Sequence, residues 1–219
     1  MYMSIVSRRL RITAWTLSSL SVIVSFVAWA GRMRWEFDNL SSYSLFPLFG
    51  LLALSLMWSH YIMAALRKYY GANKTVLKQY FDISSLAVLA AILMHPGILI
   101  WQLWRDGFGL PPDSYLDYYV APGLGWVAML GTISFIIFIA YELRHVYGDR
   151  SWWKYVQYAS DAGMFLVFYH SLRLGSTLNS SWLQGVWYLY IVSFVSALVY
   201  IYAPKHKLPD YMSHKKETV

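Results

Sequence analysis

The sequence contains no cysteine, and only 13% of its 219 residues are charged. Without cysteine the chain can form neither disulfides, nor thiolate-bound metal sites, nor iron–sulfur clusters. Hydrophobic residues instead make up 58% of the sequence, far more than a soluble domain of this length contains. The composition therefore predicts an integral membrane protein with almost nothing left over for a soluble domain.

Long apolar runs divide the chain into candidate membrane-spanning helices. A helix needs about 20 mostly apolar residues to cross the bilayer core, and six segments come close to this length. We predict an all-α bundle of six transmembrane helices over residues 1–203, followed by a basic cytoplasmic tail, 204–219, which we expect to be disordered. The predicted spans are Ile12–Ala30, Ser44–Leu66, Ile83–Trp104, Val120–Leu143, Tyr155–Leu174 and Trp182–Ala203.

The positions of lysine and arginine predict the orientation of the bundle, because basic residues near span ends are retained in the cytoplasm. With six spans both termini share a side, and that side holds all of the 18 basic residues except Arg32, Arg34, Arg105 and Arg173. We therefore expect cytoplasmic termini in a multi-pass protein of the cytoplasmic (plasma) membrane. This topology and contact with the anionic lipid bilayer explain the net charge of +7, and we predict no nucleic-acid partner.

Two histidines lie at matched depth in spans that both run outward. His95 is 13 residues beyond Asp82 and His170 is 15 residues beyond Tyr155, which is about 20 Å and 22 Å at 1.5 Å per residue. An ionisable side chain at membrane depth is costly to bury and indicates a functional site. Two imidazoles on helices of one bundle are typical axial ligands of a haem. The alternative is that each histidine makes an ordinary hydrogen bond between helices.

Other charged and titratable side chains extend this hypothesis to both membrane faces. Arg173, one turn beyond His170, is positioned to pair with a haem propionate at the outer face, and Arg105 at the end of span three is the candidate for the second propionate. His60 and His145 are the candidates for a second haem near the inner surface. Interfacial roles are the alternative for these two histidines.

Asp161 lies well inside the fifth predicted span. A charge at this depth costs at least a few kcal/mol, so we expect the carboxyl group to be neutral or hydrogen-bonded. Its expected partners are Gln157, Tyr158 or a group from another helix. A proton route through Asp161 is the alternative to this structural role.

The membrane core of the chain resembles the ferric reductase-like transmembrane domain. The resemblance rests on six predicted spans with cytoplasmic termini, a His-Pro pair in span three (LMHPGILIWQLWRDGFG) and a histidine near the outer end of span five (FLVFYHSLRLGS). This superfamily includes the membrane parts of ferric reductases and NADPH oxidases and the haem subunit of bacterial methionine sulfoxide reductase systems. The resemblance implies a haem b-binding protein of electron transport in which His95 and His170 match the outer of two histidine pairs.

The inner histidine pair of that superfamily has no match in this sequence. Its members typically carry a second histidine 13 or 14 residues away, where this chain has Phe81 or Asp82 in span three and Val156 or Gln157 in span five. The resemblance therefore implies one haem b, or two if the inner candidates supply a second site. It also implies an oxidoreductase membrane subunit without its own flavin or nicotinamide domain, which takes electrons from a quinone or a separate reductase protein.

A second interpretation is a haem-free protein of the same six-helix fold that serves as a scaffold or as a carrier of a small molecule or ion. In that case the histidines and Asp161 are buried polar contacts between helices. A retinal protein is disfavoured, because no lysine lies within a predicted span to form the Schiff base.

Overall fold

The computed structural model describes residues 2–38, 40–178 and 182–204, without the side chains of residues 2–4, 145 and 146. In these residues all regular structure is helical and no strand occurs. The predicted disordered tail, from residue 205 onward, lies outside them. A short 3₁₀ helix, Lys74–Leu77, precedes the third α-helix. The α-helices are α1 (Tyr2–Arg32), α2 (Ser42–Tyr69), α3 (Lys78–Arg105), α4 (Asp113–Tyr118), α5 (Gly125–Glu142), α6 (Arg144–Tyr147), α7 (Trp153–Leu174) and α8 (Leu183–Tyr202).

Five helices in the described part of the chain are long and apolar enough to cross a membrane, as expected for a multi-pass membrane protein. They are α1, α2, α3, α5 and α8. The remaining predicted span corresponds to α7, which has 22 residues but is less apolar than the others because it carries Asp161 and several serine, tyrosine and basic residues. The predicted outer loop between α3 and α5 contains the short helix α4.

Hydroxyl groups join α1 to α2 and α3. The hydroxyls of Ser18, Ser59 and Tyr80 lie within 2.7–3.0 Å of one another, and the Ser25 and Ser55 hydroxyls are 2.8 Å apart. Lipid tails are as apolar as a helix surface, so helices in a bilayer associate through close packing and polar contacts. Small serine side chains supply both, because they let the backbones approach and satisfy each other's hydrogen bonds.

The C-terminal ends of α2 and α8 meet on one side of the bundle. In the last turn of α2, the Lys68 Nζ donates hydrogen bonds of 2.6–2.9 Å to backbone carbonyls of Tyr200, Ile201 and Ala203. Those carbonyls have no partner within their own helix and carry partial negative charge, which favours a cation there. Further along the same interface the rings of Trp58 and Tyr190 stack at 3.9 Å.

Asp161 links α7 to two other helices. The Tyr61 hydroxyl of α2 donates to Asp161 Oδ1 at 2.8 Å, and the Tyr202 hydroxyl at the end of α8 donates to Oδ2 at 2.5 Å. Both partners come from other helices, not from Gln157 or Tyr158 on α7. The carboxyl group therefore fastens α7 to α2 and α8 at a depth where an unpaired polar group would be costly.

The Asp161 contact generates a stability prediction. Asp161→Asn keeps one acceptor oxygen for a tyrosine hydroxyl, whereas Asp161→Leu has a similar volume and keeps none. We expect the leucine variant to lose about 1–3 kcal/mol of stability relative to the asparagine variant, since the half-buried Tyr61 hydroxyl is left without an acceptor. Thermal unfolding in detergent measures the difference.

Tyr61→Phe in the Asp161→Leu background is the control for this experiment. Removing the Tyr61 hydroxyl, which has lost its acceptor, should restore part of the lost stability. Removing both partners of a hydrogen bond costs less than removing one, because no buried polar group is then left unpaired. Equal melting temperatures for the leucine and asparagine variants would contradict the bridging role.

Candidate functional site

A cavity of about 550 Å³ lies between α2 and α3 on one side and α5 and α7 on the other. Tyr115 of α4, Trp187 of α8 and residues of the loops beside α4 and after α7 complete its wall, and none of the residues that line it is charged. The volume falls in the range of small-molecule and cofactor sites, roughly 300–1,000 Å³. His95 and His170 both border this cavity, so the structure brings the two predicted histidines to one site.

His95 is held by a backbone carbonyl of the neighbouring helix. Its Nδ1 atom lies 2.8 Å from the carbonyl oxygen of Phe46 in α2. A carbonyl oxygen only accepts, so Nδ1 must carry the hydrogen, and in the neutral ring Nε2 then presents its lone pair. Nε2 makes no hydrogen bond to any residue that the structure describes.

His170 repeats this arrangement on the other side of the cavity. Its Nδ1 lies 2.9 Å from the carbonyl oxygen of Val127 in α5, which fixes the same tautomer. His170 stands as far along α7, counted from Trp153, as His95 stands along α3, counted from Lys78. Each helix hairpin, α2–α3 and α5–α7, therefore presents one imidazole in the same protonation state to the same space.

A glycine lies under each imidazole ring. Gly50 follows Phe46 by one helical turn and Gly131 follows Val127 by one turn. A Cβ atom at Gly50 would stand 2.9 Å from His95 Cε1 and Nδ1, and one at Gly131 would stand 2.6 Å from His170 Cε1. These distances are too short for any side chain. The absence of a Cβ thus lets each ring lie against the backbone that holds it.

The two imidazoles share one feature with metal-bound histidines, the hydrogen bond from Nδ1 to a carbonyl. A metal-bound histidine almost always donates its other ring N–H to a carbonyl or carboxylate, which fixes the tautomer and the ring orientation. Among the described residues, no group of three or more His, Asp or Glu side chains is placed to hold a bare metal ion. A haem iron needs only two protein ligands, since the porphyrin supplies four nitrogens. The donor set and the volume of the cavity fit a haem, whereas its uncharged wall offers no cation to the propionates.

Arg105 does not line the cavity. Its guanidinium lies 3.5 Å from the Asp106 carboxylate and over the Trp101 ring, 4.9 Å from the ring centroid. Gln102 and Tyr43 also donate hydrogen bonds to Asp106, and with Arg105 they hold the pKa of that carboxyl below its usual value. These contacts make Arg105 part of a polar cluster at the end of α3. Its pairing with a propionate stays a prediction.

Arg173 lies in the last turn of α7, three residues after His170. Its side chain is exposed and is not part of the cavity wall. The polar side chains that do line the wall near this end are hydroxyls, contributed by Tyr115, Tyr119, Ser176 and Thr177. The role of Arg173 toward a propionate likewise stays a prediction.

The candidates for a second site are only partly described. His60 lies outside the cavity wall, and its Nε2 is 2.7 Å from the Ser84 hydroxyl, which in turn donates to the Tyr80 carbonyl. Ser84 thereby accepts from His60, so Nε2 carries a hydrogen. The side chain of His145 lies outside the described residues. Two side chains that could share a second haem are therefore not seen together.

Several functional groups of this site escaped the sequence interpretation. The carbonyls of Phe46 and Val127 carry no signal in a sequence, because every residue has such a group. Gly50 and Gly131 do carry one, since each lies within a predicted span. Pairing each glycine with the histidine on the following span would have predicted where each imidazole ring packs.

Comparison with known proteins adds no assignment: no family model, no curated protein and no solved structure matches this chain.

The glycine positions generate a prediction about site geometry. We expect Gly50→Ala and Gly131→Ala each to destabilise the protein by about 1–3 kcal/mol, as overpacking does, because the added methyl group pushes the imidazole off its carbonyl. Thermal unfolding in detergent checks the loss. Gly185→Ala in α8 is the matched control, since no atom lies within 4 Å of its Cβ position.

The control variant should be unchanged or slightly more stable, because alanine favours a helix by up to about 1 kcal/mol over glycine. Equal melting temperatures for all three variants would show that the close approach of imidazole ring and glycine does not limit the side chain at Gly50 or Gly131.

Proposed function

We propose that this chain is a haem b-binding electron-transfer protein of the membrane, with His95 and His170 as the two axial ligands. The proposal includes a relationship to the ferric reductase-like transmembrane domain, which the sequence resembles. One observation carries it: two imidazoles border one uncharged cavity, and each is fixed by its Nδ1–H so that Nε2 is left as the ligand atom. An ordinary buried histidine has no reason to repeat this arrangement across a cavity.

The residues of the site have separate roles in this proposal. A haem b with two imidazole ligands takes up and releases one electron without binding a further ligand. His95 and His170 hold the iron, and the carbonyls of Phe46 and Val127 orient the rings and make them more basic. The apolar wall excludes water from the site. The electron donor, a quinone or a separate reductase protein, and the acceptor belong to this proposal as partners.

The lack of charge in the cavity wall favours one alternative. A haem carries two propionates, and no lysine or arginine lines the cavity to meet them. A haem-free carrier of an uncharged small molecule would have no such need. The visible spectrum separates the two functions, since only the haem protein gives a reduced-minus-oxidised haem b difference signal.

We further propose six membrane crossings with both termini in the cytoplasm. α7 has 22 residues and would extend about 33 Å at 1.5 Å per residue, enough for a bilayer core of about 30 Å. The contact of Lys68 with the last turn of α8 supports the crossing, because it requires α2 and α8 to end on the same side. With α7 left uncrossed, α8 would end on the opposite side. The fourteen-to-four split of basic residues supports cytoplasmic termini.

Reporter fusions test this topology. A fusion after Val219 should report the cytoplasm, and one inserted between Arg105 and Tyr119 should report the outer side. An insertion between α5 and α7, at Asp149, should agree with Val219. If the first two reporters fell on the same side, the number of crossings and the depth of both histidines would have to be revised.

Histidine variants test the proposed ligands. We expect His95→Ala and His170→Ala each to remove the low-spin haem b spectrum of protein expressed with ample haem, because six-coordinate iron needs both imidazoles. Added imidazole should restore a low-spin spectrum in either variant, since the missing side chain leaves room for it. His60→Ala is the matched control and should keep the wild-type spectrum and one haem per chain.

Three results would count against the proposal. Wild-type protein without any haem signal would favour the carrier. Two haems per chain would require an inner site that includes His60 or His145. Retention of the low-spin spectrum in either alanine variant would mean that the iron is bound elsewhere.

A further inference from the structure

The wall of the cavity reaches the outside of the bundle along one face of α3. Leu93 and Gly97 are one helical turn apart, both line the cavity and both are exposed, Leu93 by 48%. No atom lies within 4 Å of the Cβ position of Gly97. α3 and α5 contact each other only sparingly, whereas α2 packs closely on α3 and α5 on α7. Leu93 and Gly97 therefore belong both to the cavity wall and to the surface of the bundle, on a helix that contacts α5 only sparingly.

The end of the cavity nearest the α3–α5 loop is covered by α4. The Tyr119 ring, directly after α4, stacks on Tyr43 of α2 with centroids 6.0 Å apart and packs edge-on against Phe46. On the opposite side the Tyr115 hydroxyl lies 3.4 Å from the Thr132 hydroxyl of α5. α4 and its flanking residue thus reach from α2 to α5 across the end of the cavity.

The chemistry of the wall agrees with access from lipid. A charged group that moves from water into an uncharged, apolar space loses its hydration without compensation. A membrane-soluble molecule already dissolved in hydrocarbon pays no such cost. We infer that the cavity takes up its ligand laterally from the bilayer, between α3 and α5 beside Gly97, and that this ligand is a membrane-soluble molecule. The inference rests on the proposed function only where a haem serves as the probe.

Tryptophan variants test this route with haem. Apoprotein in lipid vesicles is mixed with vesicles that contain haem, and the rise of the low-spin spectrum gives the uptake rate. Gly97→Trp should slow uptake by about tenfold or more, which corresponds to roughly 1.4 kcal/mol of added barrier. Gly185→Trp, at an equally open glycine on α8 outside the cavity wall, should leave the rate unchanged. Ser176→Trp, which narrows the exposed edge of the cavity wall at the end of α7, should slow uptake less than Gly97→Trp does.

A rate slowed by Ser176→Trp and unaffected by Gly97→Trp would overturn the lateral route in favour of entry from water. The second test needs no haem and no correctly folded tryptophan variant. The chain has no cysteine, so Thr132→Cys places a single thiol in the cavity wall. N-phenylmaleimide, which partitions into the bilayer, should modify this thiol, and a charged methanethiosulfonate should react with it at least about tenfold more slowly.

Ser176→Cys is the control for the thiol experiment and should react with both reagents, because its side chain is exposed at the end of α7. Equal access of the charged reagent to Thr132→Cys would overturn the lateral route. Absence of any haem spectrum with selective modification by N-phenylmaleimide would overturn the proposed haem and leave the lateral route supported. The two failures are thus distinguishable.

Discussion

The bonds from His95 and His170 to backbone carbonyls determine how the bundle is arranged around its cavity. Each imidazole lies inside its own hairpin, against Gly50 in α2 or Gly131 in α5. A ring held in this way cannot turn to fill the space between the hairpins without losing its hydrogen bond. The interior therefore keeps an open volume where a protein of this size would otherwise pack side chains. A cavity maintained by two matched constraints is better explained by a ligand than by loose packing.

The packing contacts that such a cavity removes have to be offset by stabilising contacts elsewhere in the protein. Polar contacts join the two sides at its ends: Asp161 binds Tyr61 and Tyr202, and α4 reaches from α2 to α5. In lipid these contacts matter more than apolar packing, because the bilayer competes equally well for apolar surface. A ligand that touched both walls would add stability in proportion to the logarithm of its concentration over its dissociation constant. The protein without a ligand is thus expected to be the less stable form.

The sequence was informative where the physics is local. Long apolar runs predicted the positions of the long helices, and the matched depth of two histidines predicted that both would border one site. Contacts between distant residues were not predictable: Asp161 finds its partners 100 residues earlier and 41 residues later, and neither tyrosine differs in sequence from those that anchor helices at the interface. The same limit applies to Arg105 and Arg173. Their distance along the chain from the histidines was known, but the direction of their side chains, away from the cavity wall, was not.

The absence of charge in the cavity wall also bears on the chemistry that a haem would perform there. Two neutral imidazoles add no charge to the iron, and the wall offers no carboxylate to stabilise a cation. Ferric haem carries one more positive charge than ferrous haem, so a low-dielectric site disfavours the ferric state and raises the reduction potential. Arginines at the surface would act in the same direction, but solvent and salt screen their charge over such a distance, so their contribution would be small. The apolar wall, more than Arg105 or Arg173, would then set how readily the site accepts an electron.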